Sequence, residues 1–165
     1  MKKFIFVFLL VFGIKFSFSQ RNNLWVEGGS GAFVHQTDKF GISVGAGLNY
    51  LQKDNLFSGK IIVNYEYFLA DNFVNFGILY GKMFRDDFFA FSASLGFGYV
   101  NGKQSLDGIN GKVILKISGI SADFEINANI IGLKYVGMGI KFFANINSDY
   151  PMLGFLWTYQ IGLIK

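Results

Sequence analysis

The chain of 165 residues is 52% hydrophobic and 19% aromatic but only 16% charged, with glycine and phenylalanine at 21 each, one proline and no cysteine. Low charge with high hydrophobicity excludes a disordered chain, and the missing cysteines exclude a disulfide-stapled module and any thiolate-ligated zinc or redox site. The net charge of +4 does not point to nucleic acid: Lys2, Lys3 and Lys15 lie in an N-terminal leader, and without them 12 basic residues face 11 acidic ones, with no Lys/Arg cluster to track a phosphate backbone.

In the leader, Lys2 and Lys3 precede an apolar run from Phe4 to Ile14, and Ser17-Phe18-Ser19 places small residues ahead of Gln20. This is the layout of a secretory signal peptide. A spanning helix needs roughly 20 apolar residues, and Lys15 ends the run early. Residues 1–19 are therefore expected to be a cleaved leader and residues 20–165 a single exported domain.

Past the leader the side chains alternate with period two, the signature of strands. Leu24 to Val34 is blurred by Gly28, Gly29, Ser30 and Gly31, and is read as a strand because the last one needs a partner. Ile42 to Tyr50 follows with Ile42, Val44, Ala46 and Leu48 against Ser43, Gly45 and Gly47. Phe57 to Leu69 sets Ile61, Val63, Tyr65, Tyr67 and Leu69 against Ser58, Lys60, Asn64 and Glu66. Phe73 to Phe84 and Phe88 to Val100 split the same way, the latter with Phe89, Phe91, Leu95, Phe97 and Tyr99 opposite alanine, serine and glycine. Ile120 to Ile130 puts Ile120, Phe124 and Ile126 opposite Ser121, Asp123, Glu125 and Asn127. Lys112 to Ser118 runs in the opposite phase, and a bulge at Gly119 is expected to switch faces. Tyr135 to Asn147 and Met152 to Ile164 complete eight segments. The separators carry turn chemistry: His35 to Lys39, Gln52 to Asn55, Ala70 to Asn72, Arg85 to Asp87, Asn101 to Gly111, Gly132 to Lys134 and Ser148 to Pro151.

On strand after strand the apolar face is large, aromatic and nearly free of charge, while the other face is glycine, serine, asparagine and scattered charge. Polar surface is too scarce to coat a soluble particle. Turning the barrel inside out removes the conflict, because lipid accepts the apolar face, closure pairs every backbone amide, and an eight-strand lumen is narrow enough for side chains to fill. The expected fold is all-β: an eight-stranded antiparallel up-and-down transmembrane β-barrel. Ile140, Phe142, Phe155, Trp157 and Ile161 are expected to face lipid, and Tyr50, Tyr65, Tyr67, Tyr80, Phe84, Tyr99, Trp157 and Tyr159 to supply aromatic girdles. An even strand count puts both ends on one side, which would be the periplasm, leaving Asn101 to Gly111 as the one long outer loop.

Ile78-Leu79-Tyr80-Gly81, Val136-Gly137-Met138-Gly139-Ile140 running into Phe143-Ala144-Asn145-Ile146-Asn147, and Tyr159-Gln160-Ile161-Gly162-Leu163 resemble the small outer-membrane β-barrel proteins of Bacteroidetes type. The resemblance spans most of residues 20–165. It implies a bacterial outer-membrane location and insertion by barrel-assembly machinery, with lipid as the surrounding partner, and it brings no catalytic residues.

Little chemistry is written in the chain. His35, the only histidine, sits beside Gln36, Thr37 and Asp38 with no nucleophile at hand, and reads as a solvated loop residue. Asp123 and Glu125 share a face roughly 7 Å apart and could do acid–base work. The simpler reading places Glu27, Lys60, Glu66, Asp123, Glu125 and Lys141 inside the barrel as an ion-pair network, since a lone buried charge is costly. Gly45-Ala46-Gly47 and Gly96-Phe97-Gly98 lack the following helix that a phosphate site needs. Asp107 and Asp149 lack metal-ligand spacing. No cofactor, metal or nucleic-acid partner is expected. The expected role is that of a monomeric, non-enzymatic envelope barrel with a polar filled lumen; a small solute pore and an exported soluble barrel for a lipophilic ligand are the rivals.

Overall fold

The computed structural model describes residues 22–35, 39–66, 72–108, 111–133 and 135–163. The leader, Tyr67, Leu69, Ile164 and the separators at 36–38 and 70–71 lie outside them. Eight strands follow in chain order: β1 (Asn22–His35), β2 (Lys39–Gln52), β3 (Asn55–Glu66), β4 (Asn72–Arg85), β5 (Phe89–Gly108), β6 (Gly111–Leu133), β7 (Val136–Ile146) and β8 (Met152–Gly162). Each pairs antiparallel with its neighbours in sequence, and β8 returns to β1 from Trp25↔Gly162 to His35↔Met152, closing the barrel. The glycine-rich first segment, the least regular in sequence, is a continuous strand with partners on both sides. Gly31 shows why glycine stands there: a Cβ would overlap the Phe155 carbonyl on β8.

Two sequence expectations need correction. Asn101 to Gly111 is not a loop. Its backbone stays paired with β6 through Asn101↔Ser118 to Gly108↔Gly111, whereas the β4 partner stops at Lys103 and the β7 partner begins only at Ala122. A two-stranded hairpin thus projects past the barrel wall. Nor does Gly119 carry a bulge. The β5–β6 register runs unbroken across it, and the shift lies between Ile130 and Leu133 against β7. Inward positions on β6 therefore stay odd from Ile117 to Ile131, and Ile117 is an interior residue. Its apolar character suggested a change of face because the lumen was taken to be uniformly polar.

The interior is instead layered. At the end where β1 begins, Trp25, Leu51, Leu56, Met83, Ala90 and Ile131 form an apolar cluster. At the opposite end a second cluster gathers Phe33, Ile62, Phe73, Val100, Ile117, Phe143, Tyr150, Met152 and Leu156. Three strands show the same order: Trp25, Glu27, Phe33 on β1, Leu56, Lys60, Ile62 on β3, and Ile117, Asp123, Glu125, Ile131 on β6. These charges lie between two greasy layers. The outer face carries the remaining apolar residues, with Ile78 79%, Ile120 76% and Phe97 75% exposed. Lys53 and Asp54 form the two-residue β2–β3 turn, where Lys53 takes a positive φ of 58° and the Asp54 carbonyl accepts the Met83 amide at 3.0 Å.

The unbroken phase of β6 is testable. Ile117→Ala should lower unfolding stability by about 2–5 kcal/mol, as for a packed interior residue, while Ile114→Ala, on a side chain 67% exposed, should change it by no more than ~0.5 kcal/mol. Urea titration of the folded barrel distinguishes them, and a phase switch at Gly119 would reverse the order.

Candidate functional site

The lumen between the apolar layers holds the strongest concentration of chemistry. Lys60 of β3 places Nζ 3.2 Å from Asp123 Oδ2 and 3.1 Å from Glu125 Oε1, both on β6. Lys141 of β7 lies 3.2 Å from Glu125 Oε2 and also pairs with Glu27 of β1. The charges thus alternate in space as Asp123, Lys60, Glu125, Lys141, Glu27, drawn from four strands. All five residues are buried. Alternation keeps each ammonium between two carboxylates, the arrangement that best offsets desolvation.

Three carboxylates face two ammonium groups, and Asp123, at one end of the chain of charges, is compensated by neutral donors. Its Oδ1 accepts from Asn145 Nδ2 at 2.7 Å, Ser121 Oγ at 2.8 Å and Asn75 Nδ2 at 3.5 Å. Further polar pairs surround this layer: Ser43 with Asn64 at 2.5 Å, Ser58 with Asn49 at 2.6 Å and Gln160 with Asn129 at 3.0 Å. Glycines make the room. A Cβ on Gly77 would sit 2.6 Å from both Asp123 Oδ2 and Lys60 Cε, and one on Gly98 would sit 2.5 Å from Asp123 Oδ2. The space left beside Glu27, Lys60 and Lys141 is a cavity of about 10 Å³, enough for one water.

Glu66 stands apart from this network. It occupies the last turn of the lumen with His35, whose Nε2 is 3.7 Å from Glu66 Oε1. His35 is also not a solvated loop residue: it is buried, with its ring centroid 4.0 Å from that of Tyr150, which in turn stacks on Phe73 at 3.9 Å. Strand parity carried the signal, because His35 is two residues beyond inward Phe33 and Glu66 two beyond inward Asn64. The contribution of Tyr150, which comes from the β7–β8 connection where Asn147 Oδ1 accepts its amide, had no sequence signature. Asp149 is exposed in that connection, and Asp107 falls where side chains are not described. Of the outward set, Phe142, Phe155, Trp157 and Ile161 are exposed, and Ile140 is half-buried in a groove on the outer wall.

This arrangement can hold charge but is poorly placed to transform a substrate. Each network carboxylate is engaged by a lysine, and an apolar cluster lies on either side of the network. Among the described residues no three His, Cys, Asp or Glu side chains converge as a metal site.

No family model and no curated protein matches the sequence. The fold, by contrast, is that of solved outer-membrane barrels. The chain is similar to Ail, the attachment invasion locus protein of Yersinia pestis, at 12% identity and TM-score 0.63, covering 87% of this chain and 99% of that one. It is similar to Neisserial surface protein A at 9% identity and TM-score 0.63, covering 85% and 96%. The outer-membrane enzyme PagL also shares the fold, at 14% identity and TM-score 0.53 over 83% and 98%. The fold therefore leaves catalysis to be decided by side chains.

Lys60→Met should lower stability by about 3–5 kcal/mol, because it leaves Asp123 without an ammonium partner in the interior and Glu125 with Lys141 alone. Adding Asp123→Asn should restore much of the loss, which a double-mutant cycle by urea unfolding would register as strong coupling. Additive losses would show that the charges do not act as a unit.

Proposed function

We propose that this protein is a non-enzymatic bacterial outer-membrane barrel of the Bacteroidetes type, monomeric in the bilayer, with a sealed lumen and a role in envelope structure or surface interaction. One observation carries the reading: large apolar side chains cover the exterior while the ion pairs are enclosed. Water outside such a particle would face a continuous hydrophobic wall, whereas lipid accepts it and the closed ladder pairs the backbone of each strand with neighbours on both sides within the wall. The leader at residues 1–19 supports export, after which barrel-assembly machinery would insert the chain. The short connections at Lys53-Asp54 and Arg85 to Phe88 lie at the end where β1 begins, as expected for the periplasmic side. The β5–β6 hairpin then projects outside.

A projecting hairpin suits a surface-interaction role, since it carries the exposed Ile114 beyond the last β4 pair, Asn72↔Lys103, with Lys103 and Lys116 at its base. A solute pore fits less well, because apolar layers lie above and below the charged one. A soluble ligand carrier fits least, because its apolar face would have to point inward.

Refolding residues 20–165 into lipid vesicles tests the proposal. Inserted protein should resist carbonate extraction, migrate differently on gels before and after boiling, and show no steady conductance in planar bilayers. Ile78→Arg, at an outward mid-strand position, should cost about 2–4 kcal/mol of insertion free energy, whereas Asp149→Arg should insert like the parent. Release of the parent protein by carbonate would refute the membrane assignment, and stepwise conductance would refute the sealed lumen.

A further inference from the structure

The outer wall is not evenly covered. Along one ladder row the partners run Phe84↔Phe91↔Ala128↔Ile140↔Trp157 across β4 to β8. Ala128 is a small residue between large ones, and the row forms the floor and ends of a groove of about 620 Å³, walled by Ile130 and Met138. Its direction matters. Phe84 is one residue from the end of β4, Phe91 is two from the start of β5, and Trp157 is in the middle of β8. The groove therefore climbs from the turn-side rim into the middle of the wall. Four ladder steps of about 4.8 Å give it a path of roughly 19 Å across the strands, and a strand tilt of about 35–45° turns that path into a rise of roughly 11–14 Å, close to half the ~30 Å hydrocarbon thickness of a bilayer.

At the rim the groove meets a second, polar recess of about 500 Å³ that shares Phe84 and Arg85 with it and adds Lys53 and Asp54 from the β2–β3 turn. Asp86 lines the groove on the other side of Arg85. An apolar channel of one-leaflet length thus ends at a mouth carrying guanidinium, ammonium and carboxylate groups of both signs.

From this continuity we propose that the groove is a site for a single phospholipid of the turn-side leaflet whose headgroup bears a phosphate and a primary ammonium. This rests on the membrane reading above. One acyl chain lies over Ala128 toward Trp157. The phosphate takes Arg85 and Lys53, the residues whose planar and point charges suit it, and the headgroup ammonium donates to Asp86 and Asp54. A phosphate with no cationic partner would leave those carboxylates repelling it, and a quaternary ammonium has no N–H to donate.

Trp157 reports the occupant directly. In a Trp25→Phe background the remaining tryptophan lies in the groove, so quenching by a minor fraction of brominated lipid in phosphatidylcholine vesicles measures relative occupancy. Brominated phosphatidylethanolamine should be preferred about threefold over brominated phosphatidylcholine, the size that one or two exposed ion pairs provide, with brominated phosphatidylglycerol below the ethanolamine lipid. Ala128→Phe, which fills the floor, and Arg85→Gln with Asp86→Asn, which leaves the floor untouched, should each bring the ratio to one. Gel mobility before boiling checks that every variant is folded. Equal quenching by all three lipids in the parent overturns the site while leaving the barrel in its membrane. Preference for phosphatidylglycerol over the ethanolamine lipid overturns the headgroup assignment. Absence of quenching by any brominated lipid would instead sink the membrane reading itself.

Discussion

Closure of the backbone ladder is the constraint on which the rest of this structure depends. Once β8 pairs with β1, every strand has a neighbour on each side, and its side chains have only two places to go: a narrow interior or the outer wall. Eight strands leave an interior too small for bulk water. A charge directed inward must therefore find an opposite charge or a donor within the lumen, and a large apolar side chain directed outward must find an apolar medium. The ion pairs and the greasy exterior are two consequences of one geometric fact.

The layered interior follows from the same limitation. Had charge been distributed along the whole lumen, its ends would connect to water and the pairs would be screened. Concentrating Glu27, Lys60, Asp123, Glu125 and Lys141 in one layer, with Trp25 and Ile131 on one side and Phe33 and Ile117 on the other, holds them in a medium where a broken pair is costly. Such a layer contributes less to net stability than to uniqueness. A strand slipped by one residue would turn its charge toward the apolar exterior, and one slipped by two would separate it from its partner. Gly77 and Gly98 belong to this device, since their missing side chains are the volume that Asp123 and Lys60 occupy.

How much of this was legible in the sequence depended on which face was being read. The outer wall meets one environment, so period two locates seven of the eight strands and the outward positions of Phe142, Phe155, Trp157 and Ile161, while the glycine-blurred first strand follows only from the need to close the sheet. The lumen meets a different environment at each height, and that is fixed by register between strands. Ile117 looks out of phase in sequence because its level in the barrel, next to Phe73 and Val100, is set by neighbouring strands and is invisible from its own. His35 has polar neighbours in sequence that suggest a solvated loop, whereas its neighbours in space are Glu66 and Tyr150. The β5 arm of the hairpin, Asn101 to Gly108, reads as a loop in sequence because its Asn-Gly pairs signal turns, and its strand pairing with β6 is set by the partner. For the groove at Ala128, alternation showed which side it faces but not that Phe91 and Ile140 flank it.

A fold shared by an attachment and invasion protein, a surface protein and an enzyme at 9–14% identity does not select a role by its topology. What can differ among such barrels is the lumen, the rims and the wall. Here the lumen is occupied by packed side chains and ion pairs, and the rims and the wall are the surfaces the barrel presents outward. The rims differ sharply: one is closed by short turns carrying Lys53, Asp54, Arg85 and Asp86, while the other extends as a paired hairpin beyond the ends of β4 and β7. The hairpin continues β5 and β6, and β6 carries Asp123 and Glu125 of the buried network, so the base of the projecting pair is tied to the same strand whose side chains fill the lumen.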